Sequence, residues 1–154
     1  GDWAVVLVLL SLALTPARAV FDWMLLIQIR RRIGVAAALY TGLHLLIYIL
    51  DQKWDLIVVA LEIVKRFYLT IGFAALLAYA ALAITSTDGW MRRLKRRWQR
   101  LHRLIYPIAL LAVWHFWWQV KRDISEPLLY AFLLTVLLGV RIHHAWALRR
   151  ERAA

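Results

Sequence analysis

The sequence predicts an all-α protein, a polytopic bundle of about five membrane-spanning helices with one short interfacial helix, forming a single domain over residues 1–154. Three observations predict it. Hydrophobic residues make up 64% of the chain and include nine Trp, more apolar surface than a soluble domain of 154 residues can cover. Those residues fall into blocks of helical-span length. The 20 Lys and Arg are gathered in short runs between the blocks. A closed barrel also satisfies backbone groups in lipid, but it needs shorter segments that alternate polar with apolar residues.

The first block, Trp3–Thr15, is short for a span, and the "TPAR" that follows reads as a helix stop. A signal-like hydrophobic segment would carry a basic stretch ahead of it, so we read this block as a short or tilted span. Ile33–Leu50, Phe67–Ile84 and Leu104–Val120 each reach the roughly 17 to 25 residues that a spanning helix needs. Leu128–Val140 is the last block, with an extension to Leu148. Between the second and third blocks, "DLIVVALEIVKRF" (55–67) intersperses apolar residues with Asp55, Glu62, Lys65 and Arg66, the pattern of an amphipathic helix lying in the membrane interface.

Charge sets the orientation. Residues 16–32 carry Arg18, Arg30, Arg31 and Arg32; residues 86–103 carry seven Lys and Arg; the segment from Arg141 carries four. These segments fall on one side, fifteen basic residues against five on the other, so the basic side is assigned to the cytoplasm. The net charge of +11 is therefore topological, and no nucleic-acid-binding motif accompanies it. The cluster Arg92, Arg93, Lys95, Arg96, Arg97, Arg100 reads first as an anchor for anionic lipid and second as a docking site for flavin or quinol. The six glycines are scattered singly, so there is no nucleotide loop, and the absence of cysteine excludes disulfides, thiolate metal sites and iron–sulfur clusters.

Depth gives the histidines meaning. His44 lies 11 residues into the second block from its cytoplasmic end, and His115 lies 11 residues into the fourth, about 16 Å in each case. Two neutral imidazoles at one depth on facing helices can supply both axial ligands of a haem iron; the alternative is a pair of structural histidines bonded to neighbouring carbonyls. His102 sits about 20 Å below His115 on the same apolar stretch, room for a second cofactor layer. Thirteen residues at 100° each put the two side chains about 140° apart, and Pro107 between them can re-phase the helix. Thirteen and 14 residues before His44 stand Arg31 and Arg30, poor iron ligands that suit haem propionates, flavin phosphate or lipid headgroups.

Trp114, Trp117 and Trp118 fit an outer aromatic belt, with packing on a haem edge as the second reading. His143 and His144, beside Arg141, fit a solvated or headgroup-facing pair, with a missing inner ligand as the second.

The runs "LAITSTDGWMRRLKRRWQRLHRLIYPIALLAVWHFWWQVK" (82–121), "RRRIGVAAALYTGLHLLIY" (30–48), "KRFYLTIG" (65–72) and "LTP" (14–16) together resemble the MsrQ (YedZ) family. These are haem-binding membrane subunits of bacterial methionine sulfoxide reductase systems, within the ferric-reductase-like transmembrane family. The resemblance implies a multi-pass b-type cytochrome of the inner membrane, holding one haem b with room for a second, and FMN or quinone as further cofactors. It implies electrons taken from the quinol pool or a cytoplasmic flavin reductase and passed to the periplasmic molybdopterin subunit MsrP, which repairs oxidised envelope proteins. The chain would then be an electron-transfer subunit, not the site of sulfoxide reduction. By the same resemblance, His44, His102 and His115 match the family's haem-linked histidines.

Three departures stand out. The family's usual N-terminal helix has no counterpart here, Arg66-Phe67-Tyr68 stands for R-P-Y, and Lys95 stands for the Gly of L-G-x-R-W. Two alternatives stay open: the membrane core of a ferric reductase or oxidase, and a non-redox membrane module with structural histidines.

Overall fold

The computed structural model describes residues 2–21, 25–120 and 123–151, and all of the regular structure in them is helical. Lys121, Arg122 and Arg152, used in the charge count, lie outside the described residues, as do the side chains of Arg18 and Arg149. The elements are α1 (Asp2–Phe21), α2 (Leu25–Asp51), α3 (Leu56–Lys65), α4 (Phe67–Ile84), α5 (Asp88–Leu94), α6 (Arg96–Leu101), a 3-10 turn (His102–Leu104), α7 (Ile105–Gln119) and α8 (Ser125–Glu151). Among the described residues, Ile29–Asp51, Phe67–Ile84 and Ser125–Ala147 are long and apolar enough to cross a membrane, while Trp3–Ala17 is a shorter apolar stretch. The interfacial helix forms where expected, as α3, with the Asp55 carboxylate accepting from the backbone N–H of Ile57 and Val58 at its N-terminus.

The bundle is apolar inside and out, as lipid demands. Leu39, Leu43 and Ile47 of α2 and Leu129, Phe132 and Val136 of α8 face outward. The core gathers Val5, Val8, Leu9 and Leu12 of α1 against Ile105, Ile108, Ala109 and Val113 of α7 and Leu134 of α8. Helix α1 packs on α2, α7 and α8, and α4 packs on α7. The short first block is therefore a central helix, its buried positions repeating at three and four residues.

The expected helix stop after Thr15 is not one: α1 continues through Pro16 to Phe21. The bonding explains why. Proline has no N–H, so the carbonyl of Leu12, four residues earlier, loses its helical donor. Arg141 of α8 supplies a replacement, its Nη2 donating to the Leu12 carbonyl at 2.8 Å while its Nη1 donates to the Tyr106 hydroxyl of α7. Leu12 is fully buried, so without that donor the carbonyl would stand unpaired in an apolar interior.

The connection between α4 and α7 bends at Lys95, whose φ of 46° and ψ of −117° fit glycine far better than a side chain. The bend separates α5 from α6 and turns Trp98 back toward α4. Lys95→Gly is expected to raise resistance to unfolding in detergent by about 1 kcal/mol, read by thermal or denaturant titration. A loss of stability would show that the lysine side chain contributes more than its backbone costs.

Candidate functional site

Helices α2 and α7 bring His44 and His115 together, with ring centroids 6.4 Å apart and ring planes at 72°. They face one another across a cleft between α2, α4 and α7 that reaches in to Val8 of α1. Apolar side chains, among them Leu45, Phe73, Leu76, Ile108 and Phe116, form most of its wall.

The orientation of His115 is fixed by α4. Its Nδ1 lies 2.7 Å from the backbone carbonyl of Tyr68, and a carbonyl only accepts, so Nδ1 carries the proton and Nε2 keeps its lone pair. One turn along, Gly72 lies flat against the ring: a Cβ there would come within 2.7 Å of both Cε1 and Nδ1. Tyr68 and Gly72 thus form one device on a single helical face, a carbonyl that holds the imidazole and a gap that admits it.

Among the described residues no three His, Asp or Glu gather as a bare metal ion would require. Two imidazole nitrogens would suffice for a metal that brings further ligands of its own, as a porphyrin iron does. With ring centroids 6.4 Å apart on opposite walls of the cleft, His44 and His115 would be the residues to hold such a group between them. A second observation fits a bound group: Tyr79 lines the cleft and is 4% exposed, and its buried hydroxyl has no hydrogen-bond partner. Such an orphan costs free energy unless something in the cleft meets it.

His102 is not among the residues lining this cleft. Its ring stacks on Trp98 at 3.8 Å and 25°, its Nδ1 lies 3.2 Å from the Trp98 carbonyl, and its Nε2 lies 3.4 Å from the Ser86 hydroxyl. The Trp98 indole donates to the Thr85 carbonyl at 2.8 Å, so Thr85, Ser86, Trp98 and His102 form one cluster at the end of α4. Burial pushes the His102 imidazole below its ordinary pKa; the Trp98 and Leu82 carbonyls oppose this and the Arg30 guanidinium adds to it. Arg30 thus belongs to the surroundings of His102, whereas Arg31 turns away to an exposed ion pair with Asp88 at 2.6 Å. Pro107 falls in the first turn of α7, where no helical bond is lost. The re-phasing comes from the 3-10 turn: three residues wound at about 120° advance the phase by about 60°, leaving His102 and His115 still on different faces.

Trp114 and Trp118 stack at 3° with Phe67 edge-on to both, and all three Trp of this run are exposed, as a belt requires. His143 and His144 are exposed. Sequence reasoning missed Gly72, the Tyr68 carbonyl and Tyr79. The signal for the first two was present as a Tyr and a Gly one turn apart at the start of a span; nothing in the sequence marks Tyr79.

A family model for the ferric reductase like transmembrane component matches residues 1–113. The protein-methionine-sulfoxide reductase haem-binding subunit MsrQ of Xanthomonas campestris pv. campestris (strain 8004) is 53% identical over 154 residues, 99% of this chain and 71% of its own length. The subunit of the same name from Xanthomonas oryzae pv. oryzae (strain MAFF 311018) is 52% identical over the same shares. That from Rhodospirillum rubrum is 48% identical over 155 residues, 99% of this chain and 74% of its own. No solved structure matches the chain. Sequence and family model together place it: the chain belongs to the ferric-reductase-like transmembrane family, within its MsrQ branch.

Proposed function

We propose that the chain is a b-type cytochrome subunit of a methionine sulfoxide reductase system in the bacterial inner membrane. On this reading it takes electrons from quinol or reduced flavin on the cytoplasmic side and passes them to the periplasmic molybdopterin subunit MsrP, where the sulfoxide is reduced. The facing pair His44 and His115, with His115 locked as the Nδ1–H tautomer, carries the proposal. The name of the relatives supports both the haem and the reductase system.

His44 and His115 would hold one haem b. His102, with Arg30 and Arg31 at the same end, would serve an inner site for a second haem, FMN or a quinone. A bound haem supplies a one-electron ferric/ferrous couple. The Tyr68 carbonyl keeps the His115 lone pair aimed into the cleft, so the imidazole need not rotate or exchange its proton when the redox state changes. Apolar side chains from α1, α4 and α7 form most of the wall around the pair.

The test is an absorption spectrum of the purified chain, followed by reoxidation with the periplasmic partner. A Soret band with split α and β bands on reduction is expected; a chain without them is no cytochrome. Asp123 and Glu126 sit at the outer start of α8, and Asp123→Lys with Glu126→Lys is expected to slow transfer to the partner at unchanged haem content. The Asp123 carboxylate also accepts from the Ser125 N–H at 2.9 Å and from its hydroxyl, which hold its pKa below the usual carboxylate range. Glu126→Lys alone is the control that leaves this turn intact. Reoxidation at the wild-type rate in both variants excludes this end of α8 as the docking surface.

A further inference from the structure

The wall of the cleft changes one turn outward of the two imidazoles. Tyr48 follows His44 by four residues and Gln119 follows His115 by four, each about 6 Å farther out along its helix, and both line the cleft. The Tyr48 hydroxyl donates to Glu62 Oε2 at 3.0 Å, Glu62 Oε1 accepts from Arg66 Nη2 at 2.9 Å, and Arg66 Nη1 donates to the Tyr68 hydroxyl at 3.3 Å. A polar chain therefore runs round the outer rim, from the helix of His44 through α3 to the residue whose carbonyl holds His115. Toward the inner end the polar groups lining the cleft are Thr41, whose hydroxyl donates to the Ala37 carbonyl of its own helix, and Tyr79. Among the described residues no charged side chain lines the cleft at either end; Glu62 and Arg66 stand just outside the lining, bonded to the Tyr48 and Tyr68 that belong to it.

We propose that Arg66, with the Tyr48 hydroxyl beside it, anchors the carboxylate edge of the porphyrin held between His44 and His115, and that Glu62 occupies this guanidinium when the carboxylates are absent. The inference rests on the haem reading above. A porphyrin with two propionates cannot place them against hydrocarbon without a cation or strong donors. Arg66 offers five N–H donors in a planar fork, of which Glu62 and Tyr68 engage two. The guanidinium is half exposed and already bonded to Tyr68, which lines the cleft, so reaching a bound carboxylate requires it to leave Glu62 and turn inward past that ring. Propionates are flexible two-carbon arms that reach beyond the ring edge, and the rim of Tyr48, Glu62 and Arg66 stands one turn outward of the imidazoles, on the side where donors are found. The porphyrin edge then points to the outer face, and α3 becomes part of the binding site as well as an interfacial helix.

The experiment reconstitutes the full chain, purified without haem in lipid nanodiscs, with protoporphyrin IX haem and separately with its dimethyl ester, which has the same ring and iron but no carboxylates. Wild type is expected to prefer the free acid by roughly tenfold or more, the worth of one charge-assisted hydrogen bond. Arg66→Gln should bring that ratio close to one, through weaker binding of the free acid alone, with the low-spin spectrum retained. Arg66→Lys should restore part of the preference, and Glu62→Gln should keep or increase it by removing the competing carboxylate. Equal weakening of both porphyrins by Arg66→Gln overturns the proposal. So does loss of the preference in Tyr79→Phe with Arg66→Gln unaffected, which would point the carboxylate edge inward. Failure of wild type to bind either porphyrin overturns the cytochrome reading itself, an outcome distinct from both.

Discussion

Alanine at His44 or at His115 is expected to abolish the low-spin bis-imidazole signal of the purified chain, whereas alanine at His102 should preserve it. The two rings face one another at 6.4 Å, and each would be one of two axial ligands. Removing either leaves an iron that is five-coordinate or water-bound, hence high-spin, or a haem that dissociates. His102 lies in the Trp98 and Ser86 cluster outside the cleft, so its loss should reach only a second haem or the coupling to the cytoplasmic donor. Electron paramagnetic resonance and the reduced α band read the difference directly. A low-spin signal that survives His44→Ala and disappears in His102→Ala would break the pairing of His44 with His115.

Gly72→Ala is expected to reproduce much of the His115→Ala effect without touching a ligand. The new methyl would lie 2.7 Å from Cε1 and Nδ1 of His115, well inside van der Waals contact. Since α4 is packed along its length against α7, the ring is what yields, and with it goes the bond to the Tyr68 carbonyl. Losing such an orienting partner typically costs 10- to 100-fold in metal affinity, so a haem affinity at least about tenfold lower is expected. The haem-free chain meets the same clash, which offsets the about 0.8 to 1 kcal/mol that Gly→Ala ordinarily adds within a helix, so its stability should change little. Haem titration and thermal unfolding of the haem-free chain, measured side by side, separate the two effects. Normal haem affinity in Gly72→Ala would mean that His115 has room to shift and that the Tyr68 carbonyl does not fix it.

What was legible in the sequence was what depends on counting along an axis. The blocks gave the helices, and the equal distances of His44 and His115 from the basic ends of their blocks gave a meeting that the structure displays. Rotation about an axis was not legible. Whether His102 shares a face with His115 turns on three residues wound as a 3-10 turn, and Pro107, which drew attention, sits where it changes nothing. Partnerships across helices were hidden for a different reason. The "TPAR" stop rule treats a lost backbone bond as final, but Arg141 repairs it from a distant helix, and no local pattern announces that. Likewise Gly72 looks like any glycine of a membrane span until His115 is set against it.

The bond from Arg141 to Leu12 joins residues 129 apart. It forms only after every segment between them has been synthesised and threaded into the bilayer. Until then the carbonyl at Leu12 has no helical donor, so α1 rests in the membrane with a local flaw that lipid cannot mend. Arrival of α8 removes the flaw and brings the Tyr106 end of α7 into the same junction. The bundle therefore carries a built-in order of assembly in which α8 is the keystone, and a chain interrupted before Arg141 should leave α1 exposed to quality-control proteolysis even though α2, α4 and α7, which frame the cleft, are already in place.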